Sequence, residues 1–163
     1  MVPLSQGAKA NKNGKIFENM CIPIFVEYGF EVLKHKDFLK REKAGTLPTR
    51  YVIKDAPYRT IYDHRGKSEF LICAEDNREI RIENKYQEAA GSVDEKYPYT
   101  LLNAMNYPEK EVIIVIDGGG YKPGARRWIV DRVNENWLHF APAKSIKVMT
   151  IIEFKKWLGD NFE

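Results

Sequence analysis

The hydrophobic pattern of the chain changes from the spacing of helices to the spacing of strands and back. In 14–30, apolar residues recur every three or four positions, which predicts a helix. Segments 68–74 and 78–87 alternate as strands do and flank the turn EDN, which predicts a hairpin. The run 112–116 is apolar at consecutive positions, which is typical of a strand covered on both faces. Helical spacing returns in 125–137.

These segments follow one another as a helix, a meander of strands, a helix, a buried strand, a helix, a short strand and a last helix. The order predicts a mixed α/β fold. Two Ser/Thr-x-x-Glu patterns, beginning at Ser92 and Thr150, predict capped helix starts. Residues 1–13 are polar and rich in Gly, Lys and Asn, so we expect a flexible basic arm, followed by a single domain over 14–163.

Composition narrows the function classes. The 26 Lys and Arg residues against 23 Asp and Glu residues give a net charge of +3, which permits a nucleic acid partner without requiring one. Cys21 and Cys73 lie in no zinc-binding spacing. Two thiols without a disulfide framework favour a reducing, cytoplasmic setting. The start of the sequence lacks the apolar core of a signal peptide, and 112–116 is too short to span a bilayer, so we expect no membrane partner. The segment DGGG, 117–120, lacks the ending of a Walker loop, so we expect no nucleotide cofactor.

The strand predicted over 79–87 carries an acid, a base and an amide at alternate positions. Glu83, Lys85 and Gln87 share one face, opposite two isoleucines. The simplest interpretation is a half-exposed strand whose charges meet water. Counting back from the turn, however, places Glu69 opposite residues 83–85. A register shifted by one residue from the symmetric count would bring Glu69 onto the same face as Glu83 and Lys85.

Two carboxylates beside a lysine predict a site for a hard cation. Mg²⁺ prefers oxygen ligands and retains several waters, and Mn²⁺ is expected to substitute for it. Such an ion polarises a phosphate and lowers the pKa of a bound water. Lys85 would orient or deprotonate that water, or stabilise the charge that develops on the phosphate. The set therefore suits hydrolysis of a phosphodiester bond.

The ordered set Glu69 … Glu83-Asn84-Lys85 resembles the core motif of the PD-(D/E)XK nuclease superfamily. The predicted element order resembles the αβββαβ core of that superfamily, and GKIFE, which ends at Glu18, resembles its Gly-xxx-Glu element. Gln87 follows the lysine as in some restriction-type members. The segments ENKYQEAAGSVDEKYPYTLLNA and VIIVIDGGGYKPGARRWIV are similar to small bacterial and phage-borne nucleases, so the resemblance covers about residues 14–132.

The resemblance implies a restriction-endonuclease-like fold, with a mixed central sheet flanked by helices, and a metal-dependent endonuclease acting on DNA. It assigns the catalytic and metal-binding roles to one set of residues. The implied catalytic residues are Glu69, Glu83, Lys85, Gln87 and Glu18, and the implied metal ligands are Glu69, Glu83 and the Asn84 carbonyl. The sequence departs from the pattern at Ser68-Glu69, where Pro-Asp is expected, which leaves Asp63 as an alternative ligand.

The expected partner is DNA. Four basic residues are the candidates for contacts with its backbone: Lys96, Lys122, Arg126 and Arg127. A homodimer is a further expectation, because two copies would cut both strands. The alternatives are a restriction-type enzyme or junction resolvase, a catalytically silent module that binds nucleic acid or protein, and a structural strand whose charges are simply solvated.

Overall fold

The computed structural model describes residues 3–163, which fold around one six-stranded sheet with the strand order β1-β2-β3-β4-β5-β6. The strands are β1 (Glu31–Lys34), β2 (Tyr51–Arg59), β3 (Arg65–Cys73), β4 (Glu79–Asn84), β5 (Glu111–Val115) and β6 (Ser145–Met149). The helices are α1 (Gln6–Glu27), α2 (His35–Ala44), α3 (Tyr97–Asn106), α4 (Pro123–Asn134) and α5 (Ile151–Phe162). Strands β2, β3 and β4 are antiparallel, whereas β1 pairs parallel with β2, and β4, β5 and β6 run parallel.

The predicted mixed α/β fold with an αβββαβ core is confirmed. Helix α1, the meander β2–β3–β4, helix α3 and strand β5 form that core, and β1 and α2 are inserted after α1. Strand β5 is buried on both faces, as its continuous apolar run predicts. None of the helices among residues 3–163 combines the length and apolar character that crossing a bilayer requires.

The first helix is longer than the sequence pattern predicted. It begins at Gln6, where the Ser5 hydroxyl accepts a hydrogen bond from the Ala8 amide at 3.2 Å. The flexible arm predicted over 1–13 is therefore helical from Gln6 onward, while residues 1–2 lie outside the described part. Polarity alone suggested a loose arm, but Gln, Ala and Lys are good helix formers once a cap is present.

The two faces of the sheet carry separate apolar clusters. Helices α1 and α5 cover one face, and helices α3 and α4 cover the other. On the first face the largest fully buried side chains are Phe17, Phe25, Phe70, Ile72, Ile80, Ile82, Ile113 and Phe154. On the second face they include Tyr97, Leu101, Ile114 and Ile116. Successive residues of β5 alternate between the two clusters, so this strand links the two halves of the core.

Strands β3 and β4 separate part-way along their length, and we call this separation the strand fork. Their ladder ends at the pair Phe70–Ile82. Beyond it, β3 continues to pair with β2 alone, while Glu83 and Asn84 pair with β5. Extending the register by one residue would place Glu69 opposite Glu83, which corresponds to the shifted register considered above. The fork therefore opens between these two carboxylates.

A local distortion of β2 and β3 lies beside the fork. Lys54 pairs with Phe70, but the next ladder pair is Ala56 with Ser68, and the intervening Asp55 has a φ of 49°. Ile53 and Ala56 are three positions apart yet share one buried cluster, so the regular alternation of side chains along β2 is interrupted at Asp55. Beyond the distortion, Ser68 of β3 accepts a hydrogen bond from Arg81, and Tyr58 of β2 packs on Tyr107, which follows α3.

Two helix starts that the sequence marked alike differ in the structure. Thr150 accepts a hydrogen bond from the Glu153 amide, and the Glu153 carboxylate bonds the Thr150 amide, so the capping box predicted there is confirmed. Ser92 precedes a short 3₁₀ turn and makes no capping hydrogen bond through its side chain, so the capping box predicted there is wrong. Pro98 instead opens α3 from its first turn, where a missing amide hydrogen costs nothing.

Candidate active site at the strand fork

The acid and the base of β4 meet at the strand fork. Glu83 is buried, and its Oε2 atom lies 3.4 Å from the Nζ atom of Lys85. The same ammonium donates a hydrogen bond to the Asn84 carbonyl at 3.1 Å. The three consecutive residues therefore gather a carboxylate, a carbonyl oxygen and a cation within one small volume.

Tyr107, which follows α3, holds Glu83 from behind. Its hydroxyl donates a hydrogen bond to the Oε1 atom of Glu83, and the side chain is buried. Burial, together with the negative charge of Glu83, raises the pKa of Tyr107 far above its usual value. The phenol therefore keeps its proton and remains a donor. The ring of Tyr58 packs edge-on against Tyr107 at 4.7 Å and supports this arrangement.

A buried ion pair lies under the fork. Arg81 donates to both carboxylate oxygens of Glu109, at 2.8 and 2.7 Å. The same guanidinium donates to the Ala56 carbonyl at 3.1 Å and to the Ser68 hydroxyl at 2.9 Å. Arg81 thus ties β4 to Ala56 of β2 and to Ser68 of β3, where the ladder between β3 and β4 has ended.

Glu69 lies on the other arm of the fork. Burial, and then the negative charge of Asp55, raises the pKa of its carboxyl group to about 7. The charges of Glu83 and Lys85 also reach this carboxyl group, with opposite effects on its pKa. A hydrogen bond from the Asn84 side chain lowers it. Glu69 is therefore within electrostatic reach of the acid and the base on β4.

Two other carboxylates considered from the sequence have partners elsewhere. Glu18 on α1 forms an ion pair with Lys54 on β2. Asp63 lies at the tip of the β2–β3 hairpin, pairs with Arg59 at 3.1 Å and is largely exposed. Lys54 is the ladder partner of Phe70, so Glu18 stands close to the fork, whereas Asp63 is remote from Glu83 along the hairpin.

Gln87 supports the loop that contains the glycine triplet. Strand β4 ends at Asn84, so Gln87 does not belong to a continuous row with Glu83 as predicted. Its side-chain amide donates to the Gly120 carbonyl at 3.4 Å, and its own carbonyl accepts the Gly120 amide at 2.8 Å. A Cβ atom at Gly118 would lie 2.4 Å from the Gln87 carbonyl oxygen. Because Gly118 and Gly120 have no Cβ atom, their loop can lie directly against the backbone of Gln87.

A small cavity of about 140 Å³ opens beside Glu83 and Lys85. The side chains around it are three lysines, two tyrosines and three other polar groups, contributed by β2, β3, the end of β4 with the residue after it, and α3 with the turn before it. They are Tyr58, Lys67, Glu83, Lys85, Lys96, Tyr99, Thr100 and Asn103. The cavity therefore has a cationic wall around one carboxylate, which is the charge pattern that favours a phosphate.

The four basic residues predicted to contact nucleic acid lie in different settings. Lys96 lines the cavity. Lys122 is exposed and lies 3.8 Å from Asp94, which precedes α3. Arg126 is partly buried, and its charge reaches Tyr97, whereas Arg127 is exposed. All of them therefore lie at the start of α3 or α4, but only Lys96 borders the fork cavity.

Lys67 and Tyr107 are two of the residues at this site that sequence reasoning missed. Lys67 lies two positions before Glu69 on the same arm of the fork, and strand alternation applied to 65–69 could have found it. Tyr107 is distant from Glu83 in sequence, and no local pattern marks it. Its role depends on the turn after α3, which Lys144 fixes by donating to the Tyr107 carbonyl at 2.6 Å.

A family model described as the PD-(D/E)XK nuclease superfamily domain matches residues 9–162. The chain belongs to the PD-(D/E)XK nuclease superfamily. The match extends well beyond the segment 14–132 on which the resemblance rested. Searches of curated proteins and of solved structures found no match. Superfamily membership implies the nuclease class, and nucleases of this superfamily generally use divalent metal ions.

The oxygen atoms at the fork fit such an ion. Among residues 3–163, no three His, Cys, Asp or Glu side chains are arranged to hold a metal by themselves. Two carboxylates, Glu69 and Glu83, and the Asn84 carbonyl are available instead, with no nitrogen or sulfur ligand among them. A hard cation that keeps waters and shares substrate oxygens, as Mg²⁺ does, suits this set better than a fully protein-bound metal.

Proposed function

We propose that this PD-(D/E)XK protein is a metal-dependent endonuclease that hydrolyses phosphodiester bonds in DNA. The observation that carries the proposal is the meeting of Glu83 and Lys85 at the strand fork, 3.4 Å apart and beside a cavity with a cationic wall. Superfamily membership supports the reaction class. The charge of the cavity and the open fork support a polynucleotide as the substrate.

The carboxylates of Glu69 and Glu83 and the carbonyl of Asn84 would hold Mg²⁺, with Mn²⁺ as a substitute. When bound, the ion supplies polarisation of the scissile phosphate and a more acidic water. Tyr107 keeps one oxygen of Glu83 occupied, which leaves the other oxygen directed toward Lys85. Lys85 orients the water or stabilises the charge on the phosphate, because its ammonium is already held at the fork.

The other predicted residues have supporting roles in this proposal. Glu18 neutralises Lys54 beside Phe70 and thereby fixes the part of β2 that lies next to the fork. Gln87 holds the glycine loop in place behind the motif. Lys96 contacts a phosphate near the scissile one. Three further basic residues contact the nucleic acid backbone farther from the site: Lys122, Arg126 and Arg127.

A catalytically silent nucleic-acid-binding protein is the second candidate. Its support is the glutamate at position 69, which has one more methylene than the aspartate that the superfamily motif expects. Lys85 also bonds the Asn84 carbonyl that would serve as a metal ligand. A silent protein of this kind would bind nucleic acid with salt-sensitive affinity and produce no metal-dependent cleavage.

The experiment that tests the proposal is cleavage of supercoiled plasmid DNA with Mg²⁺, with Mn²⁺ and with EDTA. We expect nicking with either ion and none with EDTA. Lys85→Ala is expected to slow nicking by about 100-fold or more, since it removes a charge that stabilises the transition state. Lys155→Ala, which removes an exposed lysine on α5, is the matched control and should cut like the wild type.

Cleavage that persists in EDTA, or a Lys85→Ala protein that cuts at the wild-type rate, would contradict the proposal. Wild-type protein that binds plasmid in a salt-dependent way but never cuts it would favour the silent candidate. Thermal unfolding of both variants, measured in parallel, shows whether a lost activity reflects a lost fold.

A further inference from the structure

A row of aromatic rings extends from the fork cavity to the tip of the β2–β3 hairpin. Tyr99 lines the cavity, and Tyr62 stacks on it with ring centroids 5.6 Å apart and an interplanar angle of 18°. The ring of His64 follows at 6.3 Å from Tyr62. Tyr62 remains 65% exposed, so its ring is open to solvent on the side that Tyr99 does not cover.

The hairpin tip is fixed relative to the cavity. The Ile61 amide donates to the side-chain carbonyl of Asn103 at 2.9 Å, and Asn103 is a buried residue of α3 that also lines the cavity. Within the tip, the Thr60 hydroxyl accepts the amides of Tyr62 and His64 at 3.3 and 3.1 Å. The exposed ring is therefore held at a defined distance from the site instead of moving with a loose loop.

Apolar packing does not account for the position of Tyr62. A core tyrosine buries most of its surface, whereas this one exposes about two thirds of it. The neighbouring cavity wall carries Lys67, Lys85 and Lys96, which complement a polyanion. Flat aromatic faces next to a cationic groove are the features by which proteins bind unpaired nucleotides, through stacking of the base and attraction of the phosphate.

We propose that Tyr62, stacked on Tyr99 and flanked by His64, is a platform for an unpaired base of the substrate next to the scissile phosphate. The inference rests on the proposed nuclease function and narrows its substrate class. In a continuous duplex both faces of each base are covered by neighbouring bases, so a base can stack on Tyr62 only where it is unpaired. The preferred substrate is therefore DNA with single-stranded or branched segments.

The test compares two single-stranded probes of equal length, an oligothymidylate and an oligomer of abasic sites, which carry the same phosphates but differ in their bases. Binding is measured by fluorescence anisotropy in EDTA at fixed salt, so that no probe is cut. We expect the wild type to bind oligothymidylate more tightly than the abasic oligomer. Tyr62→Ala should weaken binding of oligothymidylate about tenfold and leave binding of the abasic oligomer unchanged.

Two variants make the comparison specific. Tyr62→Phe keeps the ring and should bind both probes like the wild type. Ile152→Ala removes another exposed apolar side chain, on α5, and should also leave both affinities unchanged.

Equal losses by Tyr62→Ala on both probes, or no loss on either, would overturn the platform. Plasmid nicking by the same preparations in Mg²⁺ separates this failure from a failure of the proposed function, because nicking would persist if only the platform were wrong. Wild-type protein that neither binds any probe nor cuts plasmid would overturn both proposals.

Discussion

In the middle of strand β4, residues 80–83, both faces are buried but they differ greatly in chemistry. Ile80 and Ile82 are fully buried against the cluster that α1 and α5 cover. Arg81 and Glu83 are buried on the opposite face, where Tyr107 and the carboxylate paired with Arg81 surround them. The comparison shows that depth of burial alone does not distinguish the residues that stabilise a fold from those that form its site.

The two faces also differ in what they contribute to stability. Burying an isoleucine side chain contributes about 1.5–3 kcal/mol through the hydrophobic effect. A buried ion pair contributes little net, because the cost of desolvation offsets the attraction, but removing one partner is costly. The polar face is thus stable only while each charge keeps its partner, and substitutions can measure this asymmetry.

The largest effect is expected from Arg81→Leu, which leaves Glu109 buried without a partner. We expect the free energy of unfolding to fall by about 3–5 kcal/mol, measured by urea denaturation. The double variant Arg81→Leu/Glu109→Leu is the control and should recover most of that loss, because no uncompensated charge remains. A single variant that is as stable as the double variant would show that Arg81 and Glu109 do not depend on each other for stability.

A smaller effect, and one directed at activity, is expected from Tyr107→Phe. Losing a hydrogen bond to a charged group costs about 1.5–3 kcal/mol. If this cost is added to the activation free energy of the step that uses Glu83, the rate falls roughly 10- to 100-fold. We also expect the Mg²⁺ concentration for half-maximal nicking to rise, since Glu83 would be less well oriented.

Tyr28→Phe, which removes a hydroxyl group at the end of α1, is the matched control for this prediction and should change neither quantity. If Tyr107→Phe lowers the melting temperature while the rate and the Mg²⁺ dependence stay unchanged, Tyr107 is only structural.

The smallest effect is expected from Ile82→Val on the apolar face. Removing one buried methylene group should lower the free energy of unfolding by about 0.5–1.5 kcal/mol. The rate of plasmid nicking at a temperature well below unfolding should be unchanged, because the side chain points away from the fork. A reduced rate in this variant would mean that the two faces are not functionally separate.

Much of the fold could be predicted because its signals are local. The alternation in β4, the continuous apolar run of β5 and the capping box at Thr150 each depend on residues within a few positions of one another. The predicted start of α1 failed because polar composition does not distinguish a solvated helix from a loop. The capping box predicted at Ser92 failed because Pro98 sets the start of α3 instead.

The candidate site likewise has one part that local sequence predicts and another that depends on distant packing. Glu83 and Lys85 converge because a strand returns to the same face every second residue, so their spacing alone predicts it. The support from Tyr107 and the pairing of Arg81 with Glu109 depend on how α3 and the following turn pack onto the sheet. No pattern within either segment specifies such contacts, so the surroundings of the site could not be predicted.

The glycine triplet, 118–120, limits which residues the loop beside the Glu83-Asn84-Lys85 motif can contain. A Cβ atom at Gly118 or Gly120 would lie 2.4 Å from a backbone carbonyl oxygen, of Gln87 in one case and Ala89 in the other. Gly119 has a φ of 76° but open space around it, so asparagine or aspartate could replace it at modest cost. Because backbone atoms create the obstacle, no side-chain change at 87–89 can compensate for a larger residue at Gly118 or Gly120. Of the three glycines in this loop, only Gly119 can therefore be replaced by a larger residue.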